Sequence, residues 1–285
     1  MIRYRAAWRI RRAAAAAVLA TLVLAATAVG TAQGSNAAQA TKPTVARQAT
    51  RPTVVLVHGA WANSSSWDGV VRRLHRDGFT VDVFPTPLRS LSGDAAHLQQ
   101  YLGAISGPIV LVGHSYGGAV ISDAATGNAQ VRALVFIDAF VPEQGEAVAM
   151  LAGSRSVLAN PDPTQVFDFV PATLPPTAST DLYVKRNVFP GAFANDLPPS
   201  TGAVLAVTQR PITLGALNEP SSLPAWKTIP SWYEVGTIDK VITPDRQLAM
   251  AERADAHIVK ARTSHLPMVS KPGAVTETIE MAARH

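Results

Sequence analysis

One serine lies among glycines at residues 113–117 (GHSYG), directly after the apolar run 108–112. A G-x-S-x-G between a strand and a helix forms a sharp turn that presents the serine hydroxyl at the carboxyl end of the strand. A phosphate-binding loop is the other interpretation, but no lysine follows and the glycine spacing fits neither nucleotide-binding fingerprint. We therefore predict that Ser115 is a nucleophile and that the Tyr116 N–H points toward an oxyanion.

A serine hydroxyl becomes a good nucleophile when a base removes its proton, so a histidine must lie close to Ser115. For a serine nucleophile at a strand-to-helix turn of this kind, the expected chain order is serine, then acid, then histidine. This order favours His265, which follows the last predicted strand. His257 begins that strand and His285 is the last residue of the sequence, so neither fits the position. His58, after the first predicted strand, is expected to shape the oxyanion loop.

The acid that orients the histidine should follow the strand before the last one. Asp239, in the stretch GTIDKV, occupies that position. Its carboxylate would fix the tautomer of His265 and stabilise the imidazolium that forms during the reaction. Asp138, which ends the stretch VFID, is the alternative because the acid can also follow the preceding strand. We favour Asp239 and expect Asp138 at the rim of the site, where it would position loops.

Elements that could hold these residues alternate along the chain from Arg51 onward. Several of the predicted strands are apolar throughout, as strands covered on both faces must be. Such alternation of strands and helices predicts an α/β fold, a mostly parallel sheet with helices on both faces. The predicted strands are 52–59, 79–84, 108–115, 131–140, 231–239 and 256–262, and the predicted helices are 67–76, 92–105, 116–126, 244–254 and 272–284.

One long interval, 141–227, breaks this alternation. It is rich in proline and contains no run typical of a core strand. A plain loop of this length is uncommon inside a compact domain. Its aromatic residues have enough apolar surface to be buried, so we expect a packed cap over the strand ends. Those aromatic residues are Phe167, Phe169, Tyr183, Phe189, Phe193 and Trp226.

The first forty residues have a different composition from the rest. Five arginines precede an apolar run, 13–28, and no acidic residue occurs in this segment. This order predicts a cleaved signal peptide, residues 1–40, and a secreted or periplasmic protein, with the Sec and Tat routes both open. The run is shorter than the roughly 20 apolar residues of a spanning helix, so we expect no stable membrane association after cleavage.

The remaining chain is formally neutral, with 20 basic and 20 acidic residues once the five leader arginines are subtracted. The overall charge of +5 therefore gives no reason to expect a nucleic-acid partner. The sequence contains no cysteine, which excludes disulfides and thiolate metal sites. We predict a short linker, 41–51, followed by one domain, 52–285, that includes the cap.

Five stretches together resemble the α/β-hydrolase superfamily, in particular the group of EstC-type esterases, pyrethroid hydrolases, plant methyl-ester esterases and hydroxynitrile lyases. They are VLVHGAW, GPIVLVGHSYGG, ALVFIDAFVPEQGE, GTIDKVITP and SHLPMVSKP. The resemblance is weak through the cap. It implies the α/β-hydrolase fold with an inserted cap, a triad of Ser115, Asp239 and His265, and an oxyanion hole made by the backbone N–H groups of Ala60 and Tyr116. It implies neither a metal nor an organic cofactor.

The resemblance leaves three functions open. Plant hydroxynitrile lyases have a lysine after the catalytic histidine, whereas Leu266 stands there in this sequence, which favours hydrolysis of a carboxylic ester. A carbon–carbon lyase and a ligand-binding protein without turnover are the alternatives. The expected partner is a small-molecule ester, apolar or aromatic, in a pocket for which His58, Trp61, Trp67 and Leu266 are candidates.

Overall fold

The computed structural model describes residues 51–285. Six of the strands in this part of the chain form a central sheet in the order β2-β1-β3-β4-β8-β9, and each neighbouring pair is parallel. All six correspond to strands predicted from the sequence. The described strands are β1 Thr53–Val57, β2 Val81–Phe84, β3 Ile109–His114, β4 Val131–Ile137, β5 Phe167–Val170, β6 Asp181–Val184, β7 Ile212–Thr213, β8 Ser231–Gly236 and β9 His257–Ala261.

The five predicted helices also form, with ends that differ from the prediction by at most two residues. Proline suits the first position of α8 and α10, because the N–H that proline lacks would have no partner within the helix at that position. The described helices are α1 Asp68–Arg76, α2 Leu91–Gly103, α3 Tyr116–Ala124, α4 Val148–Leu151, α5 Phe189–Phe193, α6 Pro199–Thr208, α7 Leu214–Asn218, α8 Pro244–Arg253, α9 Pro267–Ser270 and α10 Pro272–Ala283.

The centre of the sheet explains the apolar runs in the sequence. Each residue of β3 is buried, and β1 and β4 beside it are buried at nearly all positions. A parallel sheet whose faces are both covered by helices requires this pattern. The carboxyl ends of β3, β8 and β9 therefore meet at one edge of the sheet, where Ser115, Asp239 and His265 follow them.

The segment between β4 and β8 forms its own small sheet. Its strands β5, β6 and β7 pair antiparallel in that order and do not join the central sheet. Helices α4 to α7 belong to the same segment. Most of its aromatic side chains are buried in the apolar core, namely Phe167, Phe189, Phe193 and Trp226.

The predicted signal peptide, 1–40, and linker residues 41–50 lie outside the described residues. Among the helices of residues 51–285, none combines the length and apolar character needed to span a membrane. The division into a leader, a linker and a hydrolase domain with a cap therefore stays a prediction.

Candidate active site

Ser115 lies in the tight turn between β3 and α3. Its backbone has φ 52° and ψ −123°, a strained conformation for a residue with a side chain. Glycines allow the turn to pack this closely: a Cβ on Gly113 would lie 2.6 Å from the Gly117 oxygen, and one on Gly117 would lie 2.6 Å from the Val57 oxygen. The strain and the two glycines together place the Ser115 hydroxyl at the end of the sheet.

His265 connects Ser115 to Asp239. Its Nε2 lies 2.9 Å from Ser115 Oγ, and its Nδ1 lies 2.7 Å from Asp239 Oδ2. The side chains of His265 and Asp239 are fully buried, and Ser115 is 3% exposed. The structure thus brings together the three residues that the sequence predicts as a triad, in a continuous hydrogen-bonded chain.

Asp239 accepts several hydrogen bonds besides the one to His265. The backbone N–H groups of Val241 and Ile242 donate to its Oδ1 at 2.7 and 3.1 Å. Gln247 donates from Nε2 to Oδ2 at 2.8 Å, and its own Oε1 accepts from the Gly236 N–H at 3.1 Å. An ionised carboxylate only accepts, so this set of donors matches its chemistry.

Two backbone segments meet beside Ser115. Ala60, in the loop after β1, and Tyr116, the first residue of α3, both line the cavity at the Ser115 hydroxyl. The N–H of a first helical residue has no partner within its helix, so that of Tyr116 can face an anion. The loop after β1 approaches Ser115 so closely that a Cβ on Gly59 would lie 2.6 Å from Ser115 Cβ.

Comparison with known proteins identifies the family to which this arrangement belongs. The sequence profile of the alpha/beta hydrolase family matches residues 54–278. The chain belongs to this family. An alpha/beta hydrolase of Aspergillus novofumigatus is 26% identical over 254 residues, which cover 81% of this chain and 96% of that protein.

Two further similarities involve a bacterial esterase and a solved structure. A carbendazim-hydrolysing esterase of Nocardioides sp. (strain SG-4G) is 38% identical over 111 residues, which cover 34% of this chain and 46% of that esterase. The match thus spans less than half of that relative's length. The structure of an extracellular alpha/beta-hydrolase from a Paenibacillus species superposes with a TM-score of 0.69 at 21% identity, covering 82% of this chain and 100% of that one. This second similarity shows the fold alone.

Two buried histidines lie beside the hydrogen-bonded chain of this hydrolase. His114 donates from Nε2 to the backbone oxygen of His265 at 2.7 Å, and the two rings are 4.9 Å apart. Burial lowers the pKa of His114 well below its ordinary value, so the ring is neutral. Burial also lowers the pKa of His58 to about 4. Its Nδ1 lies 2.9 Å from the oxygen of Gly59 in the loop after β1.

Asp138 differs from the prediction. It follows β4 directly, at φ 42°, and its carboxyl group is fully buried, so it does not lie at a rim below the cap. Within residues 51–285, neither of its carboxyl oxygens has a hydrogen-bond partner. Burial first, and then the charges of Asp239 and Glu234, raise the pKa of Asp138 well above its ordinary value.

A cavity of about 240 Å³ opens beside the Ser115 hydroxyl. Its lining is mostly apolar, and Asn218 adds a polar side chain. Of the four predicted pocket residues, Trp61 lines this cavity, whereas His58, Trp67 and Leu266 lie outside its lining. Trp67 is part of the core, where its ring lies edge-on to His114 at 6.5 Å.

A metal ion has one conceivable group of ligands in the described part of the chain. One donor atom each from Asp138, Asp239 and His265 lie within 4.8 Å of one another. Two of these residues already bond each other through His265 Nδ1 and Asp239 Oδ2. A metal ion would have to displace the bonds that orient His265, so these residues do not fit a metal.

Three supporting residues escaped the sequence analysis. His114 and Gln247 contact the chain of Ser115, His265 and Asp239 directly, and Asp196 accepts hydrogen bonds from the Ser264 N–H, at 3.1 Å, and from its hydroxyl. Asp196 lies 68 residues before Ser264 in sequence, so spacing alone gives no signal for the contact. The best available signal in the sequence for such a supporting residue is a polar side chain directly beside a predicted site residue, as His114 is beside Ser115.

Proposed function

We propose that this hydrolase cleaves carboxylic esters of small, apolar or aromatic substrates through a serine-linked acyl-enzyme. The observation that carries the proposal is the hydrogen-bonded chain of Ser115, His265 and Asp239 at the edge of an apolar cavity. The Nocardioides relative, by its name, is also an esterase. Nucleophile, base and orienting acid in this geometry form the arrangement used for acyl transfer.

In the acylation step, His265 Nε2 takes the proton of Ser115 as Oγ attacks the carbonyl carbon of the ester. The carbonyl oxygen becomes an oxyanion, which the N–H groups of Ala60 and Tyr116 stabilise. Asp239 stabilises the imidazolium formed on His265. When the carbon–oxygen bond to the alcohol breaks, His265 returns its proton to the departing alkoxide, and the acyl group remains on Ser115.

Deacylation uses a water molecule in place of the alcohol. His265 removes one proton from the water as its oxygen attacks the acyl carbon, and the same N–H groups hold the second oxyanion. The bond to Ser115 Oγ then breaks, and the proton on His265 restores the hydroxyl. The products are the free acid and the resting enzyme, so each turnover consumes one water and requires no cofactor.

The cavity supports a small, apolar substrate. Its volume of about 240 Å³ lies slightly below the roughly 300–1,000 Å³ of ordinary ligand pockets. Trp61, Phe167 and Leu217 supply apolar surface, and Trp61 is held by a hydrogen bond from its ring N–H to the Leu182 oxygen at 2.8 Å. Short acyl groups fit this space better than long chains.

The test is turnover of p-nitrophenyl esters with acyl chains of increasing length, measured with purified wild-type protein and the Ser115→Ala variant. Steady hydrolysis that is fastest for short chains and lost in the variant supports the proposal. Binding without turnover would instead indicate a ligand-binding protein. Leu217→Trp should narrow the cavity and lower kcat/KM more for longer esters than for acetate, and Leu217→Ala should have the opposite preference.

We also propose that the chain is exported and that residues 1–40 are removed. The support comes from the sequence, in which five arginines precede an apolar run that small residues follow. Folding does not require the leader in this proposal, because the elements of the central sheet and the proposed triad all lie between residues 51 and 285. The sequence of the amino terminus after secretion is the direct test.

A further inference from the structure

The buried carboxyl group of Asp138 has no role in the reaction as described above. Its backbone position is fixed on both sides: the Asp138 N–H donates to the Glu234 oxygen at 3.1 Å, and the next residue, Ala139, donates its N–H to the Tyr233 hydroxyl at 3.0 Å. The Tyr233 hydroxyl in turn donates to the Ala139 oxygen. These contacts hold Asp138 at a positive φ and keep its side chain inside the protein.

Space for this side chain depends on a glycine in β8. A Cβ on Gly236 would lie 2.3 Å from Asp138 Oδ2 and 2.8 Å from its Cγ. The Asp138 carboxyl group therefore packs against the end of β8, which is the strand that precedes Asp239. As a result, one oxygen of Asp138, one of Asp239 and one ring nitrogen of His265 lie within 4.8 Å of one another.

The groups that act electrostatically on Asp138 are mostly acids. Asp239, Glu234 and Asp196 each disfavour a negative charge on Asp138. Tyr233 and His265 are its other titratable neighbours. Two buried carboxylates this close together are not both ionised, because each disfavours the charge of the other.

Hydrogen bonds decide which of the two carboxyl groups carries the charge. Asp239 accepts from Val241, Ile242, Gln247 and His265. Neither Asp138 oxygen accepts a hydrogen bond of normal geometry among residues 51–285. The nearby Gly236 N–H lowers the pKa of Asp138, but burial and the neighbouring acids outweigh it, and this N–H donates to Gln247 Oε1. Hydrogen bonds to a carboxylate favour its ionised form, and burial without them favours the protonated form.

We infer that Asp138 is a positioning residue that holds a proton, so that Asp138 and Asp239 together present one negative charge to His265, and that Asp138 takes over this charge when Asp239 is neutralised. The inference rests on the proposed function. In the wild type, a neutral Asp138 prevents excess stabilisation of the imidazolium, which must give its proton to the leaving alcohol. Burial and the neighbouring acids raise the pKa of Asp138, in agreement with this assignment.

The first experiment determines the protonation state without an activity measurement. Protein labelled with carbon-13 at aspartate carboxyl groups is titrated by NMR, with the wild type, Asp138→Asn and Asp245→Asn compared. We expect one resonance of a protonated aspartate at pH 7 in the wild type. It should disappear in Asp138→Asn and persist in Asp245→Asn, because the Asp245 side chain is 51% exposed. If all aspartate resonances are ionised at pH 7 in the wild type, the inference is wrong. This observation on the wild type does not depend on how well Asp138→Asn folds, whereas the assignment of the protonated signal to Asp138 requires a folded variant.

The second experiment measures kcat/KM between pH 6 and 9 for Asp239→Asn and for the double variant Asp138→Asn/Asp239→Asn. We expect the double variant to be slower by roughly tenfold or more at high pH, because Asp138 ionises once its charged neighbour is gone. The difference in kcat/KM between the two variants should narrow toward pH 6. A purely structural role of Asp138 would not produce this pH dependence. Equal rates at every pH would refute the takeover of charge. If the wild type itself cleaves no ester, the proposed function fails while the NMR result still decides the protonation state.

Discussion

Replacing Asp239 with asparagine should impair the proposed reaction through the orientation of the new amide. Two backbone N–H groups, of Val241 and Ile242, point at Oδ1, so the amide oxygen will take that position. The NH₂ group then occupies the Oδ2 position, where it loses the hydrogen bond from Gln247 Nε2 and donates to His265 Nδ1, 2.7 Å away in the wild type. His265 would hold its proton on Nε2, where it cannot accept the proton of Ser115.

The magnitude follows from the same distance. A unit charge 2.7 Å from the imidazolium is worth about 6 kcal/mol at an effective dielectric constant of about 20, which corresponds to roughly 10⁴-fold in rate. An ionised Asp138 within 4.8 Å would restore part of this stabilisation at high pH. We therefore expect kcat/KM to fall by roughly 10³- to 10⁴-fold near neutral pH.

The assay is hydrolysis of p-nitrophenyl acetate across pH, with thermal melts to check folding. Asp245→Asn is the matched control, because it makes the same change at a half-exposed side chain paired with Arg155. It should stay within about twofold of the wild type. Asp138→Asn should lower kcat/KM far less than Asp239→Asn. A folded Asp239→Asn protein within tenfold of the wild-type rate, or a severe loss confined to Asp138→Asn, would refute the assignment of Asp239 as the acid.

Three other predictions test separate parts of the molecule. Ser115→Ala should lower ester turnover by roughly 10³-fold or more and leave the circular dichroism spectrum unchanged. Unchanged turnover would show that the nucleophile is another residue. Burial raises the pKa of Glu234 from 4.5 to about 7, so the native state holds a proton there that the unfolded chain has lost. From pH 4.5 to 7, the free energy of unfolding of the wild type should therefore fall by on the order of 3 kcal/mol relative to that of Glu234→Gln, as measured by denaturant titration. Glu252→Gln, a change at an exposed side chain, is the control and should keep the pH dependence of the wild type. An equal pH dependence in the wild type and Glu234→Gln would refute the raised pKa of Glu234. Secreted protein should begin at or before Thr41, as shown by amino-terminal sequencing, whereas full-length protein in the membrane fraction would contradict cleavage.

The central sheet could be predicted because its signals are local and strong. The apolar runs of β1, β3 and β4 are separated by helices of ordinary length, and a fully covered parallel strand leaves that pattern in any sequence. The glycines around Ser115 are similarly direct signals, since their backbone contacts tolerate no side chain. These features depend on neighbours in sequence.

The segment between β4 and β8 gave no comparable signal. Its strands have two to four residues and its helices four to ten, which are too short for a hydrophobic period to be read. Their positions depend on distant contacts, such as the ring N–H of Trp61 with the Leu182 oxygen, 121 residues apart. Sequence could indicate that the segment packs, from its aromatic content, but not which elements it forms.

Asp138 shows why composition and order do not determine the role of an acid. Both Asp138 and Asp239 follow strands of the sheet at the same edge, and both are buried. The surrounding backbone separates them. The turn after β8 directs the N–H groups of Val241 and Ile242 at Asp239, whereas Asp138 accepts no hydrogen bond of normal geometry among the described residues. Two chemically identical side chains thus acquire opposite protonation states in our proposal, because only one of them is offered hydrogen bonds in place of water.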